Sequence, residues 1–221
     1  MSLRKVNFVK GEYYHIYNRG NSKQKIFHDK YDYFHFVKLM FICNNIDNVR
    51  IFNDDRYGIN VFDREVENIV SIGAYCLMPN HFHILITEKM ESGISKFMQK
   101  LSTAYSMYYN KKHNHTGGLF EGKFKSVHID GDIQMKYLFS YIHLNPIKLI
   151  YKDWKEFGIK DKKQALDYLG EYDYSSYKDF ILNERIQSKI LNIKDFPNYF
   201  HIKEKFQKEI IEWLSFKDKT E

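Results

Sequence analysis

His81-Phe82-His83-Ile84-Leu85-Ile86 is the stretch that decides the fold, and the turn Met78-Pro79-Asn80 joins it to the apolar run 72–77. The two runs predict a β-hairpin with strands at about 69–78 and 81–88. Because side chains alternate between the faces of a strand, the two histidines lie on one face. Neutral imidazoles held side by side on a rigid strand are half of a divalent-metal site. A lone histidine in a strand is more often a hydrogen-bonded structural residue, so a third ligand must decide the matter.

The elements around this hairpin follow the order strand, helix, strand, strand, helix, strand, with one more helix added. That order is the split βαβ arrangement of a ferredoxin-like fold, which predicts an α+β protein with an antiparallel sheet and helices on one face. The other predicted elements are a strand at 12–19, a helix capped by Asp29 and ending near Asn45, a helix at 94–110, a basic lead-in and fourth strand within 119–129, and a third helix at 133–144 capped by Asp132.

Two further regions complete the predicted organisation. The polar segment 47–68 has few periodic apolar residues and is predicted to be a loop or flap. Beyond Pro146 the chain is rich in Lys and Tyr, with helical patterns at about 177–191 and 202–214. We therefore expect an α+β domain at 1–150 and a C-terminal helical extension at 151–221.

Composition is compatible with a protein that binds nucleic acid, although a Lys-rich and aromatic-rich bias also arises from genome composition. The 221 residues carry a net charge of +6, with 18 Tyr and 18 Phe interleaved among the cations. Cations neutralise phosphates and aromatic faces stack on unpaired bases. Cys43 and Cys76 lie in apolar surroundings without CxxC spacing, and no run of about 18 apolar residues exists, which predicts a reduced, cytoplasmic protein without membrane spans.

The third predicted helix supplies candidates for a third metal ligand and for a nucleophile. Tyr141 and Asn145 are four residues apart, so they project from one helical face. Asn145 offers a neutral oxygen that, with two imidazoles, suits Mg²⁺ or Mn²⁺, and Tyr141 would lie beside the ion as a nucleophile for a phosphodiester. Alternatives stay open, because Asn145 before Pro146 is also a common helix cap. Tyr105 is a competing nucleophile, although its place on an apolar helical stripe favours a core role.

Four motifs in this order resemble the single-tyrosine HUH transposases, in particular REP-associated tyrosine transposases and related insertion-sequence enzymes. The matching stretches are Tyr14-His15-Ile16-Tyr17-Asn18-Arg19-Gly20-Asn21, the segment 78–85, Gly118-Leu119-Phe120-Glu121-Gly122-Lys123-Phe124-Lys125, and Tyr141-Ile142-His143-Leu144-Asn145-Pro146. The resemblance implies that His81, His83 and Asn145 bind the metal. It also implies that Tyr141 attacks single-stranded DNA to give a 5′-phosphotyrosine and a free 3′-hydroxyl, and that the substrate is a DNA hairpin.

Contacts to DNA can be proposed from residue type. Arg19, Lys123 and Lys125 are the first choices for phosphate contacts, and Tyr17 and Phe120 for stacking on bases. The alternative for each is a solvated surface cation or a core aromatic.

The sequence thus favours a metal-dependent transposase or nuclease that cleaves and rejoins single-stranded DNA. One alternative is a non-catalytic DNA- or RNA-hairpin binding protein on the same fold. Another is a metal-dependent hydrolase that uses water as its nucleophile. Both a monomer and a homodimer fit the sequence.

Overall fold

The computed structural model describes residues 7–47, 61–181, 185–198 and 203–215. The strands are β1 (Tyr13–Arg19), β2 (Val70–Met78), β3 (His81–Glu88) and β4 (Lys125–Ile129). The helices are α1 (Lys30–Cys43), α2 (Gly93–His113), α3 (Asp132–Leu144), α4 (Trp154–Phe157), α5 (Lys162–Glu171), α6 (Tyr177–Ile181) and α7 (Lys203–Ser215).

The four strands form one antiparallel sheet in the spatial order β2-β3-β1-β4. The histidine strand β3 therefore lies in the interior of the sheet, between β2 and β1. In the register of β1 with β3, His83 is opposite Tyr17 and His81 is opposite Arg19. This arrangement confirms the predicted ferredoxin-like α+β fold.

Helices α1 and α2 cover one face of the sheet. The inward side chains Ile16, Phe82 and Ile84 pack there with Phe36 of α1 and Phe97 of α2, and all five are fully buried. Each such side chain contributes about 1.5–3 kcal/mol through burial. The predicted helix cap is present, because the carboxylate of Asp29 accepts hydrogen bonds from two backbone N–H groups in the first turn of α1.

Helix α3 and the C-terminal region cover the opposite face. Met135, Phe139 and Ile142 of α3 form a second core with Ala74 and Leu85 of the sheet. The prediction of helices on one face therefore holds for α1 and α2 only. The physical reason lies in the hairpin itself: β2 is buried along its whole length and β3 along nearly all of it. Strands that are apolar on both sides need a cover on both faces.

The C-terminal region also forms hydrogen bonds with the outer edge of β2, the end strand of the sheet. The backbone N–H of Leu77 donates to the carbonyl of Tyr174 at 2.9 Å, and the N–H of Ser176 donates to the carbonyl of Tyr75 at 3.0 Å. These bonds satisfy backbone groups that an edge strand would otherwise leave unpaired. The division at residue 150 stays a prediction, and the second core spans it.

Several local predictions need correction. Gly131, with a φ of 87°, is the N-cap of α3, and Asp132 is its first residue, where its charge suits the helix dipole. The sequence did not predict α5, and the pattern at 177–191 yields α6 and a 3₁₀ turn at Ile186–Ile190, with 182–184 outside the described residues. Most of the predicted flap, 48–60, also lies outside them. None of the described helices is long and apolar enough to cross a bilayer.

Candidate functional site

The two histidines of β3 project from the face that α3 covers. Phe82 and Ile84 point into the α1–α2 core, so His81 and His83 point the other way. His83 is only 5% exposed, whereas His81 is partly open. Their ring centroids are 4.9 Å apart and nearly perpendicular. The predicted display of both imidazoles on one face of a rigid strand is therefore present.

Helix α3 brings Tyr141 to these histidines. The centroid of the Tyr141 ring lies 5.4 Å from that of His83 and 6.3 Å from that of His15, which comes from β1. His15 is the neighbour that the sequence did not predict. Its Nε2 lies 2.8 Å from Nδ1 of His83, and the rings stack at 5.0 Å. Only the register of β1 with β3, a pairing across 68 residues, reveals this contact.

Asn145 is held one turn after Tyr141. Its Nδ2 donates to the backbone carbonyl of Tyr141 at 2.8 Å, so the side chain does cap the end of α3. Its Oδ1 is buried and has no hydrogen-bond partner among the described residues. The cap and the predicted ligand role are therefore compatible, because they use different atoms of the amide. We call His15, His81, His83, Tyr141 and Asn145 the histidine–tyrosine cluster.

Two buried polar atoms of this cluster are suited to bind a cation. Nε2 of His83, like Oδ1 of Asn145, is buried without a hydrogen-bond partner in the described part of the chain. A buried polar atom left unpaired costs about 1–3 kcal/mol, so native proteins rarely keep one without a use. An imidazole nitrogen and an amide oxygen are both acceptable to Mg²⁺ or Mn²⁺. The residues present therefore fit a divalent cation.

This donor set is incomplete by itself. Among the described residues, no three His, Cys, Asp or Glu side chains lie together as metal ligands. Two imidazoles and one amide would leave several coordination positions for water and for oxygens of a phosphate. Mg²⁺ is usually held in this way, by few protein ligands and its substrate.

The site keeps its histidines neutral. Burial lowers the pKa of His81 to about 4, with the charges of Lys148 and Arg19 adding to the effect. Burial also lowers the pKa of His83 well below its usual value, and neighbouring His15, His81 and Lys148 lower it further. Only a neutral imidazole has a lone pair for a metal, so both histidines are in the ligating form at neutral pH.

Tyr141 carries its proton in this environment. Burial raises the pKa of its phenol above 10, and an interaction with the Asn145 side chain partly opposes the rise. Lys148 is a second residue that the sequence did not single out. Its ammonium lies 5.3 Å from the centroid of the Tyr141 ring, because the chain continues from α3 into the 3₁₀ turn Asn145–Leu149.

The structure places Tyr105 far from this chemistry. Tyr105 is fully buried in the α1–α2 core, on the other side of the sheet from the histidines. Its hydroxyl donates to the backbone carbonyl of Ile26 at 2.5 Å, and burial raises its pKa strongly. Its hydroxyl is therefore committed to a structural bond.

The residues predicted to contact DNA fall into two groups. Lys123 and Lys125 are exposed, and Lys125 is opposite Tyr17 in the register of β1 with β4. Tyr17 stacks on His15 with ring centroids 4.9 Å apart. Arg19 forms a two-pronged ion pair with Glu121 at the surface. Phe120 instead packs against Phe82 on the α1–α2 side, so its ring is not displayed with the histidines.

Comparison with known proteins now adds to this geometry. The model of the family described as "Transposase IS200 like" matches residues 8–145, more than half of the chain and every strand of the sheet. The chain belongs to the IS200-like transposase family. This confirms the family that the motifs predicted.

Two further comparisons complete the picture. A solved structure described as a REP-associated tyrosine transposase bound to a REP hairpin is similar to this chain, at 13% identity and a TM-score of 0.49. The similarity covers 85% of this chain and 90% of that one. A search of curated proteins finds no significant match.

Proposed function

We propose that this IS200-like transposase is a divalent-metal-dependent DNA strand transferase whose nucleophile is Tyr141. In this proposal His81, His83 and Asn145 hold Mg²⁺ or Mn²⁺, and the substrate is single-stranded DNA that contains a hairpin. The observation that carries the proposal is the contact of the Tyr141 ring with His83, which keeps a buried Nε2 with no partner in the described part of the chain.

The cleavage step exchanges one ester for another. The O–H bond of Tyr141 breaks, its oxygen bonds to phosphorus, and the bond from phosphorus to the 3′-oxygen breaks. The 3′-oxygen takes up one proton, which balances the proton that the phenol loses. The products are a 5′-phosphotyrosine and a free 3′-hydroxyl, so a later attack by a 3′-hydroxyl can rejoin DNA without an external energy source.

The chain's own charges assist this step. Because burial raises the pKa of Tyr141, the phenol needs positive charge nearby as its proton leaves. The ammonium of Lys148, 5.3 Å from the ring centroid, provides a fixed positive charge at that place. The bound cation would polarise a non-bridging oxygen of the phosphate.

DNA would approach along the exposed end of β1 and the loop before β4. Lys123 and Lys125 are exposed there for phosphate contacts, and Tyr17 is beside the histidines for base stacking. Arg19 would have to exchange Glu121 for a phosphate. The preference for a hairpin is carried by the motif resemblance to REP-associated enzymes.

Covalent trapping tests the proposal. A labelled single strand that contains a hairpin is incubated with the protein and Mn²⁺, and the label is followed on a denaturing gel. We expect a protein–DNA adduct that chelator prevents and that Tyr141→Phe abolishes while DNA binding persists. Tyr137→Phe is the matched control, because Tyr137 lies one turn earlier on α3 with its ring 6.0 Å from that of Tyr141.

The same assay separates the alternatives. A hairpin-binding protein without catalysis would form no adduct and would bind with an affinity that falls with salt but ignores chelator. A metal-dependent hydrolase would release a free 5′-phosphate and would tolerate loss of Tyr141. Either result would overturn the proposed function.

A further inference from the structure

Both histidines of the proposed metal site already use their Nδ1 atoms. Nδ1 of His81 lies 2.7 Å from Oδ1 of Asn80, and Nδ1 of His83 lies 2.8 Å from Nε2 of His15. A neutral imidazole carries one proton, on one of its two nitrogens. The partner of Nδ1 therefore decides whether Nε2 is a donor or a lone pair.

The proton on His81 follows from the orientation of Asn80. Nδ2 of Asn80 donates to the backbone carbonyl of Lys23 at 3.2 Å, so Oδ1 is the atom that faces His81. An amide oxygen can only accept, and Nδ1 of His81 must therefore carry the hydrogen. Nε2 of His81 is left as a lone pair, which is the form that can bind a cation.

The proton between His15 and His83 has two arrangements. If His15 donated, Nε2 of His83 would be a buried N–H with no acceptor among the described residues. If His83 donates, its Nε2 is a lone pair that a cation can satisfy. The first arrangement puts a hydrogen on Nε2 of His83 and blocks metal binding there. The second puts the hydrogen on Nδ1, as in His81, and leaves the Nε2 lone pair available. Stacking of His15 on Tyr17 holds the accepting ring in place.

We propose that Asn80 and His15 are positioning residues, which hold His81 and His83 in the Nδ1–H tautomer so that both Nε2 atoms face one divalent cation. This inference rests on the proposed function, because it concerns the same metal site. The two residues perform the task in different ways: Asn80 is a side-chain amide fixed by a backbone carbonyl, and His15 is a neutral ring fixed by strand pairing. Outer partners of this kind tune metal affinity by orienting the ligands.

Manganese affinity tests the role of His15. Mn²⁺ is titrated into the metal-free protein, and free Mn²⁺ is followed by electron paramagnetic resonance. We expect His15→Phe, which keeps a ring but removes the acceptor, to weaken binding about 10- to 100-fold. His15→Gln should restore affinity to within about threefold, because its amide oxygen can reach the position of Nε2. His128→Phe is the control, because His128 of β4 is an exposed histidine that bonds Glu12, and the substitution should leave Mn²⁺ affinity unchanged.

The role of Asn80 is tested in the same titration. Asn80→Leu should weaken Mn²⁺ binding about 10- to 100-fold, since Nδ1 of His81 loses its acceptor. Asn80→Asp keeps an acceptor oxygen and should retain binding. Equal affinity in Asn80→Leu and the original protein would overturn this part of the inference.

Nitrogen NMR measures the tautomers without any substitution. Long-range ¹H–¹⁵N correlations of the metal-free protein should show the hydrogen on Nδ1 of both His81 and His83. A hydrogen on Nε2 of either residue would overturn the inference, and this result decides the matter if His15→Phe fails to fold.

Failure of the inference differs from failure of the proposed function. If His83→Ala binds Mn²⁺ as tightly as the original protein, no metal site exists at these histidines and both proposals fall. If His83→Ala loses Mn²⁺ while His15→Phe and Asn80→Leu keep it, the metal site stands and only the positioning roles are wrong.

Discussion

Two polar clusters on opposite sides of the sheet use similar residues in opposite ways. On the α1–α2 side, fully buried Asp32 accepts from the backbone N–H of His28 at 2.8 Å, from Lys112 at 2.7 Å and from the hydroxyl of Tyr108 at 3.1 Å, and His113 lies 3.1 Å away. We call these five residues the aspartate cluster. In this cluster both oxygens of the Asp32 carboxylate accept hydrogen bonds.

The histidine–tyrosine cluster lacks that balance. Nε2 of His83 and Oδ1 of Asn145 have no donor among the described residues, and the charges that act on the cluster's histidines are the cations Lys148 and Arg19. A cluster whose acceptors are all paired stabilises the fold, whereas one with spare buried acceptors calls for a cation from outside. The difference distinguishes a structural cluster from the proposed functional one more clearly than residue types do.

The largest expected contrast comes from removing the central residue of each cluster. Asp32→Ala should lower the free energy of unfolding by about 2–3 kcal/mol, because the backbone N–H of His28, the hydroxyl of Tyr108 and the ammonium of Lys112 each lose an acceptor. His83→Ala should change the metal-free value by a smaller amount, because removal of the unpaired buried Nε2 offsets part of the lost packing. Urea unfolding measures both.

Added Mn²⁺ should stabilise only one of these two variants. At a hundred times its Kd, Mn²⁺ should stabilise Asp32→Ala by about 2.7 kcal/mol, as it does the original protein, and should not stabilise His83→Ala. Metal stabilisation that survives in His83→Ala would contradict the distinction between the clusters.

The tyrosine on each side gives the next contrast. Tyr105→Phe should cost about 1–3 kcal/mol of stability, because the carbonyl of Ile26 loses its buried donor. Adduct formation by this variant, measured below its unfolding temperature, should be unchanged. If Tyr105→Phe lost the adduct while Tyr141→Phe kept it, the nucleophile would be Tyr105 and our assignment of Tyr141 would be wrong.

Lys148 should have a smaller effect that is confined to the chemical step. Lys148→Met removes the cation over the Tyr141 ring and should slow adduct formation about tenfold, with DNA affinity little changed. Lys152→Met is the control, because Lys152 is an exposed cation four residues later. A loss of DNA affinity equal to the loss of rate would assign Lys148 to binding instead.

The smallest contrast is the response to acid. The hydrogen bonds from Lys112, His28 and His113 outweigh burial and lower the pKa of Asp32. A carboxylate with a lowered folded pKa stabilises the protein above its unfolded value near 4, and this stability is lost as pH falls through the folded pKa. Asp32→Asn should therefore lose less stability than the original protein between pH 7 and pH 3 in urea titrations. An identical loss would show that the aspartate cluster does not govern the acid response.

Sequence alone was informative where the relevant distances are local. The alternation in β3 placed His81 and His83 together, and the four-residue spacing in α3 placed Tyr141 with Asn145, because strand and helix periodicity are short-range properties. The element order then brought the two pairs to one sheet.

The parts of the site that the sequence missed depend on tertiary pairing and on the turn that follows α3. His15 reaches His83 only through the register of β1 with β3. Lys148 reaches the Tyr141 ring because a 3₁₀ turn continues the chain directly from α3. Phe120 was assigned to DNA stacking from its residue type, yet tertiary packing turns its ring toward Phe82. Sequence periodicity does not predict which face of the sheet a loop residue will pack against.

Identifying the residue that becomes joined to DNA tests the central claim most directly. The adduct formed with Mn²⁺ is digested with protease and nuclease, and the modified peptide is sequenced by mass spectrometry. The account predicts a nucleotide 5′-phosphate on Tyr141 and on no other tyrosine. A phosphate on Tyr105, or a cleaved strand with no modified peptide, would contradict it.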